Sequence, residues 1–413
     1  MTAVVCYFQV HQPHRLRRFS AFDRGHDYFD DAQNAEICRK VADKCYRPAT
    51  DLLLELVERH AGAFRVAMSL SGCVIDQLER FAPDALERFQ RLAASGCCEL
   101  LAETHDHTLS FPDDPDEFRE QVERHTARVE ACFHHRPRVF RNTELIYSNA
   151  LARELSAWRE PDASPRFIAC LAEGVDRVLA GRTPNAVYAA RPREARLALL
   201  LRNHRLSDDI AFRFANRAWD AWPLTPDKFA AWIDRLHDAG GTVCNLFMDY
   251  ETFGEHQWRE TGIFDFLREL PGAVLRSGRH KFRTPSEAVA RAAPVGVYDC
   301  PELTSWADTE RDLSAWRGNA MQAHAAARLE SLGTELRRAL QAHETPPADL
   351  LELRHDWRRL CTSDHVYYMA TKRPDDDGVH AYFSPYDSPY DAYINLMNVL
   401  DSIESRLAAA AAS

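Results

Sequence analysis

Short apolar runs alternate with helix-like stretches over residues 1–295 of the chain. Seven of these runs have the length of a buried strand, and in most of the stretches between them apolar residues recur at three- and four-residue spacing. Apolar strands that alternate with helices predict a parallel sheet covered on both faces. Seven such units fit a barrel with insertions better than a doubly wound sheet. The predicted strands are Ala3–Val10, Phe64–Leu70, Cys98–Ala102, Val139–Ile146, Phe167–Leu171, Ala198–Leu201 and Val243–Met248.

The stretches between the strands differ in length and in pattern. A helical pattern runs from Ile75 to Ala94 and is expected to break near Pro83, because proline cannot continue a helix. The first two strands are separated by a long insertion, and its segment Arg15–Tyr46 is rich in charged and aromatic residues. We expect this segment to overhang a site.

From about Val297 onward the pattern is mainly helical. A weak strand pattern, Val379–Phe383, is the one apolar run there that resembles a strand. We therefore predict a barrel domain of residues 1–295 and a helical domain of residues 296–413. The helices predicted for the second domain are Leu313–Leu340, Ala348–Leu360 and Asp391–Ala410.

Composition and charge exclude several classes of protein. Hydrophobic residues make up 46% and charged residues 27%, which is ordinary usage for a globular protein. The net charge of −11 offers no broad cationic surface, and no apolar run approaches the roughly 18 residues that cross a bilayer. We expect neither nucleic acid nor a membrane as partner, and the oligomeric state stays open.

The cysteines and the N-terminal segment bear on the compartment. The chain has 11 cysteines with no CxxC pair, and its first residues lack the pattern of a secretory signal peptide. We therefore expect reduced thiols in a cytoplasmic protein.

Histidines and carboxylates gather at the ends of the predicted strands. The carboxyl ends of parallel barrel strands meet at one face, so we expect an active site there. Carboxylates from different strands suit a reaction that needs one ionised and one protonated group, as glycoside hydrolysis does. The clusters are His11–His14 after the first strand, Glu99 and Glu103–His107 in and after the third, Arg141–Glu144 in the fourth, Asn203–Asp209 after the sixth and Asp249–His256 after the seventh.

At these residues the sequence resembles glycoside hydrolase family 57, and within it the α-amylase group. Five sequence blocks occur in the family's order, and four of them fall on predicted strand ends. A single block would be a weak signal, whereas five in order over most of the chain are specific. The blocks are HQPHRL (11–16), GCCELLAETHDHTLS (96–110), FRNTELIYS (140–148), FMDYETFGEH (247–256) and SDHVYYMATK (363–372).

The resemblance implies an α/β fold, namely an incomplete seven-stranded (β/α)7 TIM-like barrel followed by a mainly α-helical domain that reaches the cleft. It implies a retaining enzyme that cleaves α-1,4-glucosidic bonds of an α-glucan or maltooligosaccharide through a covalent glycosyl-enzyme, without a cofactor or metal. The family's nucleophile falls on Glu144 and its general acid/base on Asp249. The residues with an implied role in substrate binding are His11, Glu99, Glu251 and Asp364.

Several alternatives remain open at this point. A 4-α-glucanotransferase or a branching enzyme of the same family would use the same carboxylates, although the GCCELL form of the second block makes transfer less expected. A catalytically silent glucan-binding protein would keep the cleft without turnover. A metal-dependent hydrolase such as a deacetylase could draw its ligands from His11, His14, His105–His107 and His134–His135. The aromatic residues that could stack on sugar rings are Trp258, Trp306, Trp316, Tyr367 and Tyr368.

Overall fold

The computed structural model of the chain describes residues 1–23, 25–192, 197–372 and 384–411. All seven predicted strands are present, and each contributes to parallel pairing. Two further strands of two and three residues were not predicted, because such short segments carry no readable periodicity. The strands are β1 Thr2–Val10, β2 Val66–Leu70, β3 Cys98–Leu100, β4 Val139–Arg141, β5 Ala169–Glu173, β6 Tyr188–Ala189, β7 Ala198–Arg202, β8 Val243–Asp249 and β9 His280–Phe282.

The strands form two sheets. The first has the order β3-β2-β1-β8 with β9 beside the start of β1, and the second has the order β4-β5-β7-β6. Every pair is parallel except β6 with β7. The sheets approach each other through a parallel bridge between Ala102 and Phe140, and through the N–H of Asn203, which donates to the carbonyl of Asn245 at 2.9 Å. The chain therefore has an α/β fold built on parallel sheets and many helices.

Helices connect the strands and cover the sheets, and several begin at a polar cap. Ser71 caps the helix Gly72–Phe81, Asp114 caps the helix Pro115–Phe133, and Thr284 forms a capping box with Glu287 in the helix Pro285–Arg291. The predicted helical stretch 75–94 is two helices, because Pro83 starts a new one at its first position. The helices up to residue 291 are α1 Asp31–Val41, α2 Arg47–Arg59, α3 Gly72–Phe81, α4 Pro83–Ala94, α5 Pro115–Phe133, α6 Asn149–Ala157, α7 Asp176–Leu179, α8 His204–Ala211, α9 Pro226–Asp238, α10 Ile263–Leu275 and α11 Pro285–Arg291, with a π-helical turn at Ala42–Tyr46.

The described part of the chain after residue 296 is mainly helical, as predicted. The expected helix from Leu313 divides into two, because Asn319 caps a new helix with its side chain on the N–H of Gln322. The strand predicted at Val379–Phe383 lies outside the described residues. The helices are α12 Ser314–Arg317, α13 Ala320–Gln341, α14 Ala348–Leu360, α15 Ser363–Tyr367 and α16 Pro389–Ala411.

The two parts of the chain share hydrophobic cores. Leu16, Phe19 and Tyr28 from the N-terminal insertion are buried in the same core as the helices of the C-terminal part. Conversely, Tyr298 and Cys300 are buried with the second sheet. The division at residue 295 stays a prediction, and residues from both sides of it pack together.

Two further observations concern the helices and the cysteines. None of the described helices combines the length and the apolarity that crossing a membrane requires. All eleven cysteines are free, and nine of them are buried.

Candidate active site

A cleft of about 400 Å³ opens where β1 and β8 end, and it is lined by both parts of the chain. This volume lies within the usual range for small-ligand sites. Five of the six site residues expected from the sequence line it: His11, Glu144, Asp249, Glu251 and Asp364.

Glu144 lies in a single 3₁₀ turn, Thr143–Leu145, shortly after β4. Its backbone is left-handed with a φ of 55°, and that of Leu145 has a φ of 50°, which is a strained conformation for both residues. Both carboxylate oxygens contact donors. Oε1 lies 3.0 Å from Nε2 of His107, and Oε2 accepts a hydrogen bond of 2.6 Å from the indole N–H of Trp306.

These contacts keep Glu144 ionised. Burial by itself would raise the pKa of its carboxyl group, but the neighbouring donors and charges together outweigh burial, and the hydrogen bond and charge of His107 are the largest of these. The Arg141 charge and the Trp306 hydrogen bond act in the same direction, so the pKa of Glu144 lies below its ordinary value. Glu144 is therefore a carboxylate at neutral pH.

His107 bridges two carboxylates. Its Nδ1 lies 3.1 Å from Oε2 of Glu103, and its Nε2 contacts Glu144. Both ring nitrogens face acceptors, so the ring satisfies both only when both nitrogens carry a proton. Burial lowers the pKa of His107, but the two carboxylates raise it to about 9. Glu103 is fully buried and also accepts two hydrogen bonds, of 3.1 and 3.2 Å, from the Gln9 amide.

Asp249 is the last residue of β8, and it lies opposite Gln9 in the parallel register with β1. Its carboxyl group lines the cleft and accepts no hydrogen bond from the part of the chain that the structure describes. Burial, and then the negative charge of Glu144, raise the pKa of Asp249 to about 6. Glu144 and Asp249 therefore have opposite pKa shifts in one cleft.

Glu251 follows Asp249 by two residues and is held by the N-terminal insertion. The hydroxyl group of Tyr46 donates to Oε1 of Glu251 at 2.5 Å. Burial and the charge of Asp249 raise the pKa of Glu251 to about 8, so this carboxyl group is protonated near neutral pH. The insertion segment Arg15–Tyr46, which we expected to overhang a site, thus supports the cleft through Tyr46 and lines it with Arg15.

His11 and Asp364 join the two parts of the chain at the cleft. The His11 ring lies between Ser71 and Asp364, with Nδ1 2.7 Å from the serine oxygen and Nε2 2.9 Å from Oδ2 of Asp364. It also stacks on His107 with ring centroids 4.0 Å apart. Asp364 is placed by a short pairing in which the Ser363 N–H donates to the His107 carbonyl at 2.9 Å.

The structure does not bring Glu99 to the cleft. Glu99 lies inside β3, and both of its carboxylate oxygens accept hydrogen bonds from Ser286 in α11, one from the N–H and one from the hydroxyl group. Its side chain is thereby satisfied away from the cleft-lining residues. The expected role of Glu99 in substrate binding stays a prediction. Glu103, four residues further along the same block, contacts two residues that line the cleft, Gln9 and His107.

The structure also locates the aromatic and the metal-ligating candidates. Trp258 does not line the cleft, is 57% exposed and lies near Lys44. Within the described residues, no three His, Cys, Asp or Glu side chains come together in a group that could hold a metal ion. The expected aromatic residues that line the cleft are Trp306, Trp316, Tyr367 and Tyr368.

Three contributors were named from the sequence without the contacts to Glu144 and its neighbours that the structure shows. Glu103 and His107 stand in the second sequence block, four and eight residues after Glu99, so the block itself carried the signal. Trp306 was one of several aromatic candidates, and nothing in the sequence connects it with Glu144, which lies 162 residues earlier.

Comparisons with known proteins show the family to which the chain belongs. The family model "Glycosyl hydrolase family 57" matches residues 5–301. A curated protein of Methanocaldococcus jannaschii named "Putative alpha-amylase" is 40% identical over 405 residues, covering 96% of this chain and 83% of that protein.

Solved structures share the fold at low sequence identity. A branching enzyme of the family-57 type from Pyrococcus horikoshii has a TM-score of 0.68 at 14% identity, covering 98% of this chain and 94% of its own. An alpha-amylase from Thermotoga maritima has a TM-score of 0.65 at 13% identity, covering 99% and 96%. A 4-alpha-glucanotransferase from Thermococcus litoralis has a TM-score of 0.64 at 14% identity; the match covers 88% of this chain but only 56% of that enzyme. The family match over most of the chain, together with the 40% identical relative, shows that this chain belongs to glycosyl hydrolase family 57.

Proposed function

We propose that this protein is a retaining α-glucan hydrolase of the α-amylase type, with Glu144 as nucleophile and Asp249 as general acid/base. The observation that carries the proposal is the opposite pKa shift of two carboxyl groups that line one cleft, lowered at Glu144 and raised to about 6 at Asp249. A double-displacement reaction needs this pair of protonation states before it starts. The name of the Methanocaldococcus jannaschii relative supports the substrate class.

In the first half-reaction the Glu144 carboxylate attacks the anomeric carbon while Asp249 donates its proton to the glycosidic oxygen. The bond between the anomeric carbon and that oxygen breaks, the shortened glucan leaves with the proton, and a glycosyl-enzyme ester remains on Glu144. In the second half-reaction Asp249 takes a proton from water, and the resulting hydroxide oxygen displaces Glu144 from the anomeric carbon. The two inversions together retain the α configuration.

The surrounding residues prepare each half-reaction. His107, as an imidazolium, holds the negative charge of Glu144 in the free enzyme. His11 and Asp364 lie at the wall of the cleft, where we propose that they bind sugar hydroxyl groups together with Glu251. Because the pKa of Glu251 is raised to about 8, its carboxyl group can donate as well as accept a hydrogen bond at neutral pH.

We also infer that the seven parallel strands constitute an incomplete barrel. Support comes from the Ala102–Phe140 bridge and the Asn203–Asn245 hydrogen bond, which link the two sheets on either side. The proposal keeps residues 1–295 as the barrel and residues 296–413 as the helical domain that completes the cleft. A cytoplasmic location remains our expectation from the eleven free cysteines.

Product analysis after incubation with maltooligosaccharides and amylose tests the activity. Hydrolysis predicts only shorter products; longer ones would indicate a glucanotransferase, and new α-1,6 linkages a branching enzyme. The absence of turnover together with glucan binding would indicate a silent binding protein. Loss of activity to a chelator, with one zinc per chain, would indicate the metal-dependent hydrolase instead.

Isosteric variants test the residues. Glu144→Gln and Asp249→Asn are expected to lower kcat by about 10³-fold or more, since each removes a reacting group. Glu99→Gln distinguishes the substrate-binding role that the resemblance implies for Glu99 from the position that the structure gives it. If Glu99 contacted substrate, the substitution would raise KM. The hydrogen bonds of Glu99 to Ser286 predict wild-type kinetics for this variant.

A further inference from the structure

A loop from the C-terminal side of the cleft reaches the proposed nucleophile. We call residues 304–312 the Trp306 loop. At its base Thr304 pairs with Tyr147 through backbone hydrogen bonds of 2.9 and 3.0 Å. Trp306 then contacts Glu144 twice, because its backbone N–H donates to the Glu144 carbonyl at 3.2 Å and its indole N–H donates to Oε2 at 2.6 Å.

Two guanidinium groups lie close to the indole ring. Arg141 lies 4.9 Å and Arg202 5.6 Å from the ring centroid, which is within the range of cation–π contact. Arg202 is fixed by the Phe247 carbonyl at 2.8 Å and by Glu173 at 3.2 Å. Each of these contacts limits where the indole N–H can point.

Arg141 is unusual among the buried cations. Its side chain is fully buried, and none of its three guanidinium nitrogens makes a hydrogen bond with the described residues. Its nearest ion-pair partner is Glu103, at 3.7 Å. What Arg141 supplies at this position is therefore its charge and its flat face against Trp306.

Residues that do not line the cleft also fix the Trp306 loop. Lys372 donates to Asp308 at 2.7 Å and to Ser314 at 2.8 Å, and Arg311 lies 2.9 Å from Glu173. Asp308 and Arg311 both have left-handed backbones, with a φ of 52° for each. The loop thus has little freedom to withdraw the indole from Glu144.

We propose that Trp306 is a positioning residue for the nucleophile, with Arg141 as the support of its indole ring. With Trp306 on one carboxylate oxygen and His107 on the other, the carboxylate plane of Glu144 is fixed before substrate arrives. Such preorganisation acts on the rate of the chemical step more than on substrate affinity. The inference rests on the proposed role of Glu144 as nucleophile.

The test compares Trp306→Phe with wild type. Phenylalanine keeps an aromatic face toward Arg141 and the cleft but removes the N–H donor. We expect kcat to fall about tenfold to a hundredfold with little change in KM. Because the lost donor stabilised the ionised carboxylate, the acidic limb of the kcat/KM profile should move up by about one pH unit.

Trp357→Phe is the matched control. The indole N–H of Trp357 donates to the Leu329 carbonyl at 2.8 Å, so this substitution also removes an indole hydrogen bond. Trp357 does not line the cleft. This variant should lower the midpoint of thermal unfolding and leave the pH profile unchanged. A shift of the profile in Trp357→Phe equal to that in Trp306→Phe would overturn the proposal.

A second readout does not depend on turnover. The carboxyl ¹³C signal of Glu144, assigned by its loss in Glu144→Gln, reports the titration midpoint directly. A midpoint raised by about one pH unit in Trp306→Phe supports the proposal even where the wild type cleaves no α-glucan, in which case the proposed function alone fails. An unchanged midpoint overturns the proposal, as does an active Trp306→Phe enzyme with only KM altered.

Arg141→Lys extends the test to the support of the indole. This variant keeps the charge but loses the flat face. If Arg141 acts through Trp306, the effects of Arg141→Lys and Trp306→Phe on the Glu144 midpoint will not add in the double variant. Arg141→Lys alone also gives an answer if Trp306→Phe does not fold: the midpoint should rise, and an unchanged midpoint contradicts the supporting role.

Discussion

At the scale of single residues, the two central carboxyl groups differ in their neighbours rather than in their chemistry. Glu144 has a cationic imidazole and an indole N–H as donors, whereas Asp249 has no donor among the described residues and faces the negative charge of Glu144. Donors stabilise the ionised form, and a like charge together with burial stabilises the protonated form. This difference in surroundings supports the proposed roles of Glu144 as nucleophile and Asp249 as acid.

The assignment predicts the basic side of the pH profile. Asp249 must carry a proton to protonate the leaving group, and its pKa is raised to about 6. We expect kcat/KM for a maltooligosaccharide to fall about tenfold per unit above pH 6. With α-maltosyl fluoride, whose leaving group needs no proton, this fall should be absent. The same fall with both substrates would contradict the role of Asp249 as acid.

Glu251 predicts a pH dependence of stability. The folded chain keeps Glu251 protonated up to about pH 8, because burial raises its pKa, whereas the unfolded chain ionises it near 4.5. Between these values the folded state binds a proton that the unfolded state releases, so the free energy of unfolding falls as the pH rises. Glu251→Gln removes this term and still accepts the Tyr46 hydrogen bond.

Urea unfolding of wild type and Glu251→Gln at pH 5 and pH 8 checks this prediction. At each pH the free energy of unfolding of wild type is subtracted from that of Glu251→Gln. This difference should be larger at pH 8 than at pH 5, by about 3–5 kcal/mol at most. An equal difference at both pH values would show that Glu251 is not protonated in the folded chain.

At the scale of elements, strand ends and turns bring the functional groups together. The β8 strand ends at Asp249, and the following turn contains Glu251 and then Gly254. Gly254 has a φ of 115°, and a Cβ there would lie 2.0 Å from the Lys44 carbonyl oxygen in the π-helical turn Ala42–Tyr46. The same π-helical turn carries Tyr46, which holds Glu251.

Gly254→Ala should therefore damage both stability and the cleft. The substitution meets a backbone oxygen and an unfavourable φ, so we expect a loss of at least about 3 kcal/mol in the free energy of unfolding and a reduced kcat. Gly262→Ala is the control, because Gly262 also has a positive φ, of 85°, but no atom within 4 Å of an added Cβ. Its expected cost is about 1–2 kcal/mol without loss of kcat. Equal effects of both substitutions would contradict the steric argument.

The sequence predicted strands well and their lateral contacts poorly. Strands such as β1 and β8 are buried along nearly their whole length, so their apolar runs are conspicuous in the chain. Glu99 is an example of a lateral contact that the sequence does not show. Glu99 stands in the second sequence block. Where its carboxylate points depends on the face of β3 that it occupies and on Ser286, which lies 187 residues away.

At the scale of the whole molecule, the cleft depends on contacts between distant parts of the chain. His11 meets Asp364 across 353 residues, and Trp306 meets Glu144 across 162. Such contacts follow from the packing of the helical part against the sheets, and local periodicity carries no signal for them. Only the order of the five sequence blocks indicated from the sequence that the C-terminal part reaches the cleft.

The proposed mechanism requires a covalent intermediate on one side chain, Glu144. Asp249→Asn should slow the second half-reaction, because asparagine cannot take a proton from water, while α-maltosyl fluoride still allows the first. We expect intact-protein mass spectrometry to show the addition of one maltosyl group and peptide mapping to place it on Glu144. The variant that also carries Glu144→Gln should show no addition. An adduct on another carboxylate, or release of a β-configured product without any adduct, would contradict the proposed mechanism.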